Sequence, residues 1–310
     1  MSRLSRFRRG CAVVAALALA LPLAACSDSN NDKVATPSTQ STPTSSSKEL
    51  VVFAAASLTE AFTELGHTFE SGHPGTKVTF NFGSSGTLAT QINEGAPADV
   101  FAAASPTTMK TVTDAGNGAG TAVTFAKNRL EIAVPSGNPG KVTGLQDFTN
   151  DSLQIALCAS TAPCGAAADK VFLAANLTPK PDTREADVKA VLTKVEAGEV
   201  DAALVYHTDV LSATAGKVEG INFDESSLAI NDYQISALKN SHAGDLAADW
   251  VTFVQTTDAQ GVLTAAGFES ATGASSTASP SSSSSPSSSS SPSSQSSTEP
   301  SQSPSATSSP

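Results

Sequence analysis

Three times between Leu50 and Pro106 a short apolar run ends in small residues and passes at once into a helical pattern. Leu50-Val51-Val52-Phe53 leads through Ala54-Ala55-Ala56 to Ser57, and Leu58 to Phe69 then shows helical spacing. Val78-Thr79-Phe80-Asn81-Phe82 leads through Gly83-Ser84-Ser85-Gly86-Thr87 to a helix from Leu88 to Asn93. Val100-Phe101-Ala102-Ala103 ends at Ser105-Pro106, where Pro suits the first helical position and Ser a plain cap. Strands alternating with helices need crossover connections, which build parallel sheets with helices on their faces. The alternation continues with strands expected at Leu130–Val134, Gln154–Cys158, Ala203–Tyr206 and Gln234–Leu238. Helices are expected at Ala166–Ala175, Val188–Ala197 and Asp245–Gln255. The fold class is therefore α/β, and no internal repeat is visible.

The flanks of this body read differently. Arg3, Arg6, Arg8 and Arg9 precede a run from Cys11 to Leu23 built almost wholly of Ala, Val and Leu. A membrane-spanning helix needs about 20 apolar residues, so this shorter run reads as a signal-peptide core. It ends in Leu23-Ala24-Ala25-Cys26, which matches the lipobox of bacterial lipoproteins. Residues 1–25 are expected to be removed, leaving Cys26 as the lipid attachment point, and two acyl chains suffice for stable anchoring. The protein is then held on the outer face of the cytoplasmic membrane. Residues 26–48 read as a disordered tether, and residues 271–310, Ser and Pro with a single charge at Glu299, as a disordered tail.

Two cysteines remain after processing, Cys158 and Cys164, in a chain bound for an oxidising space. They are expected to form a disulfide closing a tight loop. The spacing is not Cys-x-x-Cys and no histidine is near, which disfavours a redox pair or a metal site. Loss of the four arginines, from a segment without acidic residues, takes the net charge from −11 to −15. That balance argues against nucleic acid and anionic lipid as partners, and against an anion held by a basic patch. An anion site here must work through local dipoles.

The Ser-bearing turns supply such dipoles. Ser57 and Glu60 have the spacing of a capping box, which predicts Ser57 at a helix N-cap. Free N–H groups at a helix start point toward the carboxyl edge of the sheet, where α/β proteins bind ligands. The glycines of Gly83-Ser84-Ser85-Gly86 allow close backbone approach and leave N–H groups exposed. Either turn alone is a common helix start; the two together fit convergence on one anion.

The blocks Val52-Phe53-Ala54-Ala55-Ala56-Ser57-Leu58-Thr59, Gly83-Ser84-Ser85-Gly86-Thr87-Leu88-Ala89 and Gly95-Ala96-Pro97-Ala98-Asp99-Val100-Phe101, in this order and spacing, resemble the periplasmic molybdate-binding proteins of ABC importers. The resemblance extends through Leu204-Val205-Tyr206 to Ala266-Gly267-Phe268. It implies a two-lobed type II binding-protein fold, each lobe a mostly parallel sheet flanked by helices, with the ligand in the hinge cleft. Lobe 1 is expected to comprise residues 49–129 and 236–270, and lobe 2 residues 130–235. The implied ligand is molybdate or tungstate, delivered by a monomer to the permease and ATPase of an importer. Carried over by residue, Ser57 and Ser85 give hydroxyl and N–H donors, Cys164 and Val188 backbone N–H groups, and Tyr206 its phenol. Cys164 stands where a small Ala is the family pattern; only its N–H is needed, and a bridge to Cys158 would stiffen the turn.

A fully ionised oxyanion accepts hydrogen bonds and donates none, so a site of donors alone suits it. Phosphate keeps a proton at neutral pH and would need an acceptor carboxylate, and neither Ser turn contains one. Sulfate has the same charge and shape as molybdate, so a sulfate-binding protein is the alternative binder. Iron would call for a tyrosine cluster, and the chain has 2 tyrosines. An exported α/β serine hydrolase is the competing enzyme, but neither serine has the Gly-x-Ser-x-Gly surround. His67, His73, His207 and His242 show no metal-ligand spacing. Lys127 and Arg129 read as lobe-boundary residues, and Trp250 as core.

Overall fold

The computed structural model describes residues 48–271. The signal segment, Cys26, most of the tether and nearly all of the tail lie outside the described residues. The chain begins with β1 (Lys48–Ala55), α1 (Thr59–Gly72), β2 (Thr76–Gly83), α2 (Ser85–Asn93), β3 (Val100–Ala103), α3 (Pro106–Asp114) and β4 (Val123–Asn128). It crosses to a second sheet through β5 (Leu130–Pro135), β6 (Ile155–Cys158), α4 (Pro163–Ala174), β7 (Thr183–Glu185), α5 (Val188–Glu196), β8 (Ala202–Tyr206), α6 (His207–Ser212) and β9 (Val218–Ile221). It returns in β10 (Asn231–Ala237), α7 (Asp245–Val254), α8 (Thr257–Ala265) and β11 (Glu269–Ser270).

The first lobe is a six-stranded sheet in the order β11-β4-β10-β3-β1-β2, and the second a five-stranded sheet in the order β7-β6-β8-β5-β9. Both sheets are mixed rather than mostly parallel. The βαβ units pair in parallel, β1 with β2 and β3, and β6 with β7 and β8. The strands that carry the chain between lobes pair antiparallel: β10 with β3 and β4, and β5 with β8 and β9. β10 belongs to the first sheet from Asn231 onward, so the return crossing precedes Asn231 instead of falling at 235/236. The outward crossing is a single residue, Arg129.

The period of two along β1 explains why the first sheet is buried on both faces. Leu50, Val52 and Ala54 point to a core with Phe62, Leu65 and Phe69 of α1 and Trp250 of α7. Phe53 points the other way, to Leu88, Ile92, Met109 and Val112 of α2 and α3. Trp250 is fully buried, edge-on to Phe62 and Phe69 at 5.6 and 5.2 Å. The second lobe has its own core, in which Ile132, Ile155, Leu157, Val171, Val191 and Leu204 meet.

Asp99 ties the first lobe together. It accepts from the N–H of Val51, His242 and Ala243 and from the hydroxyl of Ser241, all within 3.0 Å. Burial alone would raise its pKa, but these hydrogen bonds prevail and hold it below the usual value. Lys127 and Arg129 pair with Asp232 and Glu269 at the lobe junction. The Cys158–Cys164 disulfide forms across the loop between β6 and α4, with Cα atoms 5.8 Å apart. Gly165 follows it because a Cβ there would collide with the Ala159 carbonyl.

Candidate functional site

All five residues singled out from the sequence, Ser57, Ser85, Cys164, Val188 and Tyr206, line one cleft between the lobes. The cleft is nearly closed, with a cavity of about 10 Å³, far below the several hundred Å³ of pockets for organic ligands. Three of its walls are helix starts. Ser85 is the first residue of α2, Cys164 the second of α4 and Val188 the first of α5. The leading N–H groups of a helix lack partners within it and carry the positive end of its dipole.

The caps sort these groups further. No side chain caps α2 or α4. Pro163 has no N–H to offer, so Cys164 contributes the first one on α4. On α5 the Asp187 carboxylate accepts from the N–H of Lys189 and Ala190. Val188 is left as the first-turn donor without a cap. Asp187 is the one carboxylate among the described lining residues, and no Lys or Arg lines the cleft with it.

Ser57 does not take the N-cap position its spacing suggested. It sits in a 3-10 turn, Ala56–Leu58, and α1 starts only at Thr59 without a side-chain cap. Tertiary partners have claimed both members of the expected box. Ser57 Oγ lies 2.7 Å from Tyr233 Oη, and Glu60 pairs with Lys189 of the opposite lobe at 2.9 Å. Ser85 Oγ accepts the N–H of Ala104 at 3.0 Å. Ser105 is the plain cap of α3, accepting from Thr108 N.

Tyr206 ends β8 with its side chain buried, and its hydroxyl makes no well-formed hydrogen bond, although Tyr233 and Asn231 lie near enough to influence it. Burial raises its pKa well above the ordinary phenol value, so it keeps its proton and can donate it. Tyr233, also fully buried, is raised for the same reason. Tyr233 and Asn128 were not singled out from the sequence; Tyr233 lies 176 positions from Ser57, and no local spacing signals the contact.

Beside the cleft, Lys189 Nζ meets Glu60 at 2.9 Å and Asp209 at 3.1 Å, and donates to Ser212 Oγ. The Asp209 contact is an ion pair without hydrogen-bond alignment. Burial pushes Asp209 up to about 6 against the attraction of Lys189. Burial would lower Lys189, but Asp209 and Glu60 together hold it above its usual value. The lobes touch again at Gly86, where a Cβ would lie 2.7 Å from the Thr161 carbonyl oxygen. Neither cleft serine is partnered by a histidine; His207 Nδ1 instead meets Glu131 at 2.6 Å. Among the described residues no cluster of His, Cys, Asp or Glu could hold a metal ion.

Residues 50–269 match the family model for "Bacterial extracellular solute-binding protein". The chain is 40% identical over 226 residues to the molybdate-binding protein ModA of Mycobacterium tuberculosis, covering 73% of this chain and 86% of that one. The periplasmic molybdate-binding protein of Azotobacter vinelandii superposes with a TM-score of 0.62 at 19% identity, over 71% of this chain and 98% of that one. The sulfate-binding protein SubI of M. tuberculosis superposes at 0.63 with 14% identity, over 72% and 87%. At those identities the two structures speak to the fold alone. With its two lobes, its interlobe cleft and a family match spanning nearly all the described residues, the chain belongs to the bacterial extracellular solute-binding proteins.

Proposed function

We propose that this chain binds one molybdate or tungstate in the interlobe cleft and delivers it to the permease and ATPase of an ABC importer. The observation that carries this reading is the character of the lining. Two hydroxyls, a phenol and the first N–H groups of three helices face a small space that no cation enters. A tetrahedral dianion accepts hydrogen bonds on every oxygen, and preorganised dipoles can hold it without a counter-charge. Ser57, Ser85 and Tyr206 would supply side-chain donors, and Cys164 and Val188 backbone N–H groups. The relationship to the molybdate-binding protein of M. tuberculosis supports molybdate over sulfate. The protein is a binder and not an enzyme; Ser57 and Ser85 are engaged by Tyr233 and Ala104, not by a general base.

Calorimetry with molybdate, tungstate, sulfate and phosphate tests the reading. Tight binding of molybdate and tungstate at one site per chain is expected. Equal affinity for sulfate would overturn the specificity, and no binding of any of the four would overturn the oxyanion reading itself. Anchoring through Cys26 is the companion proposal. Incorporation of labelled fatty acid that disappears in Cys26→Ser, with release of the protein from the membrane, is the expected result.

A further inference from the structure

The two cleft serines share a chemical constraint. A serine hydroxyl has one proton, which it can give either to the protein or to a ligand. For Ser85 the matter is decided by the Ala104 backbone N–H, which can only donate. The Ser85 proton is therefore left for the cleft. Ser57 meets Tyr233 Oη at 2.7 Å, a contact in which either oxygen could donate.

The groups on the far side of Tyr233 decide it. Asn128 Oδ1 accepts the N–H of Arg129 at 3.0 Å, and Asn128 Nδ2 donates to Thr208 Oγ1 at 2.8 Å. These two bonds fix the amide so that its NH2 end also faces Tyr233 Oη, at 3.5 Å. Tyr233 thus has a donor on that side, and Ser57 is the neighbouring oxygen aligned to take its proton, Tyr206 Oη being near but not in hydrogen-bonding geometry. Ser57, Asn128, Thr208 and Tyr233 are each 4% exposed or less, so the relay lies away from bulk solvent. The pairing of β10 with β4 shifts register between Tyr233 and Gln234, the kind of irregularity that re-aims a side chain at a functional site.

We propose that Tyr233 is a positioning residue that sets specificity: it donates to Ser57, directs the one Ser57 proton toward the cleft, and so makes the cleft reject oxyanions that carry a proton. This deepens the oxyanion reading and rests on it. An ion such as hydrogen phosphate needs one acceptor among its neighbours. Ser85 has its proton left for the cleft, Tyr206 Oη has no hydrogen-bonded acceptor in the protein for its own, and Asp187 is turned to the N–H groups of its own helix. Ser57 is the remaining hydroxyl that could have turned to accept, and Tyr233 prevents it. A proton on the ligand then meets only donors, which is how a site discriminates through an unpaired polar group.

Tyr233→Phe removes this donor and keeps the ring contacts with Phe125, Tyr206 and Phe268. The full chain and the variant are titrated with molybdate and with inorganic phosphate, at one pH well below and one well above neutrality. The expected result is a narrowing of the molybdate-to-phosphate affinity ratio by roughly tenfold or more, the scale of one hydrogen bond to a charged group. The narrowing should be larger at the lower pH, where phosphate carries more protons. A merely structural role would weaken both ions alike, and an unmoved ratio overturns the inference. In a Ser57→Ala background Tyr233→Phe should leave the ratio unchanged; an undiminished effect there also overturns it. Should Tyr233→Phe not fold, Asn128→Asp reads the same relay from its other end, drawing the Tyr233 proton away from Ser57. The same narrowing is expected, and its absence overturns the proposal. Failure of the wild-type chain to bind molybdate overturns the oxyanion reading and this inference together, whereas binding with an unmoved ratio overturns this inference alone.

Discussion

Tyr206→Phe should raise or leave unchanged the stability of the ligand-free protein while weakening its hold on molybdate. The two signs follow from one atom. Tyr206 Oη is buried and makes no well-formed hydrogen bond, so removing it breaks none, only the weaker influence of Tyr233 and Asn231. A buried polar group without a partner costs about 1–3 kcal/mol, and its removal should return up to about 1 kcal/mol once the small void is counted. With the anion bound, the same hydroxyl becomes a donor to a charge, worth about 1.5–3 kcal/mol, or roughly 10- to 150-fold in affinity. At a molybdate concentration of about 100 times the wild-type Kd, the wild type gains about 2.7 kcal/mol of stability and the variant about 0.3–1.3 kcal/mol. Urea denaturation with and without molybdate should therefore reverse the order of the two proteins. A variant that is destabilised by more than about 1 kcal/mol without ligand would show that the hydroxyl has a structural partner after all. Unchanged affinity would show that it does not face the anion.

Gly86→Ala should impair closure without harming either lobe, because the new Cβ would sit 2.7 Å from the Thr161 carbonyl oxygen across the cleft. Helix propensity favours Ala within α2, so ligand-free stability should hold, while calorimetry should find affinity lower by about 1–3 kcal/mol. The double variant Cys158→Ser/Cys164→Ser opens the loop between β6 and α4 and should cost about 2 kcal/mol in chemical denaturation, with a smaller loss if the reduced loop keeps its shape. Asp209 is pushed up to about 6, above its unfolded value, so the folded protein holds that proton more tightly than the unfolded chain does. Its contribution to stability is full below the unfolded pKa and is lost as pH rises through about 6. The unfolding free energy of the wild type should fall more steeply between about pH 4 and about pH 6 than that of Asp209→Asn, by up to about 1 kcal/mol per pH unit; parallel profiles would remove Asp209 from the balance.

What the sequence made legible was whatever is encoded locally. The apolar runs that became β1, β3, β6 and β8 announce themselves because those strands are buried on both faces. The Val188 N–H came from the family resemblance alone; that Asp187 occupies its two neighbours and leaves it uncapped is visible only in the structure. β4 was missed because Val123–Asn128 has no clear alternation; its pairing with β10, more than a hundred residues away, makes it a strand. The short β7, β9 and β11 and helices α6 and α8 were missed as well, being too brief or too weakly patterned to stand out. Ser57 was placed near the ligand for a reason that failed. Its Ser-x-x-Glu spacing promised a capping box, and long-range partners took both side chains. The contacts of Tyr233 and Asn128 with the cleft depend wholly on tertiary register and left no trace in the sequence.

The chain passes outward between the lobes through Arg129 alone and returns at Ile230, since Phe223 and Ala229 are still packed in the second lobe's core. Mechanically this is one pin made of two short segments, joined where Asn128 pairs with Asn231. Arg129 is stitched to both halves, its carbonyl accepting from His207 N and its side chain pairing with Glu269. The halves can turn about the pin but have little freedom to slide. Closing then has nearly one degree of freedom, and a single angle fixes the separation of every donor on one lobe from every donor on the other. An ion of the wrong radius cannot be accommodated by adjusting one contact; it stops the rotation early or late and spoils all of them together. Size selection in such a cleft is a property of the joint as much as of the walls.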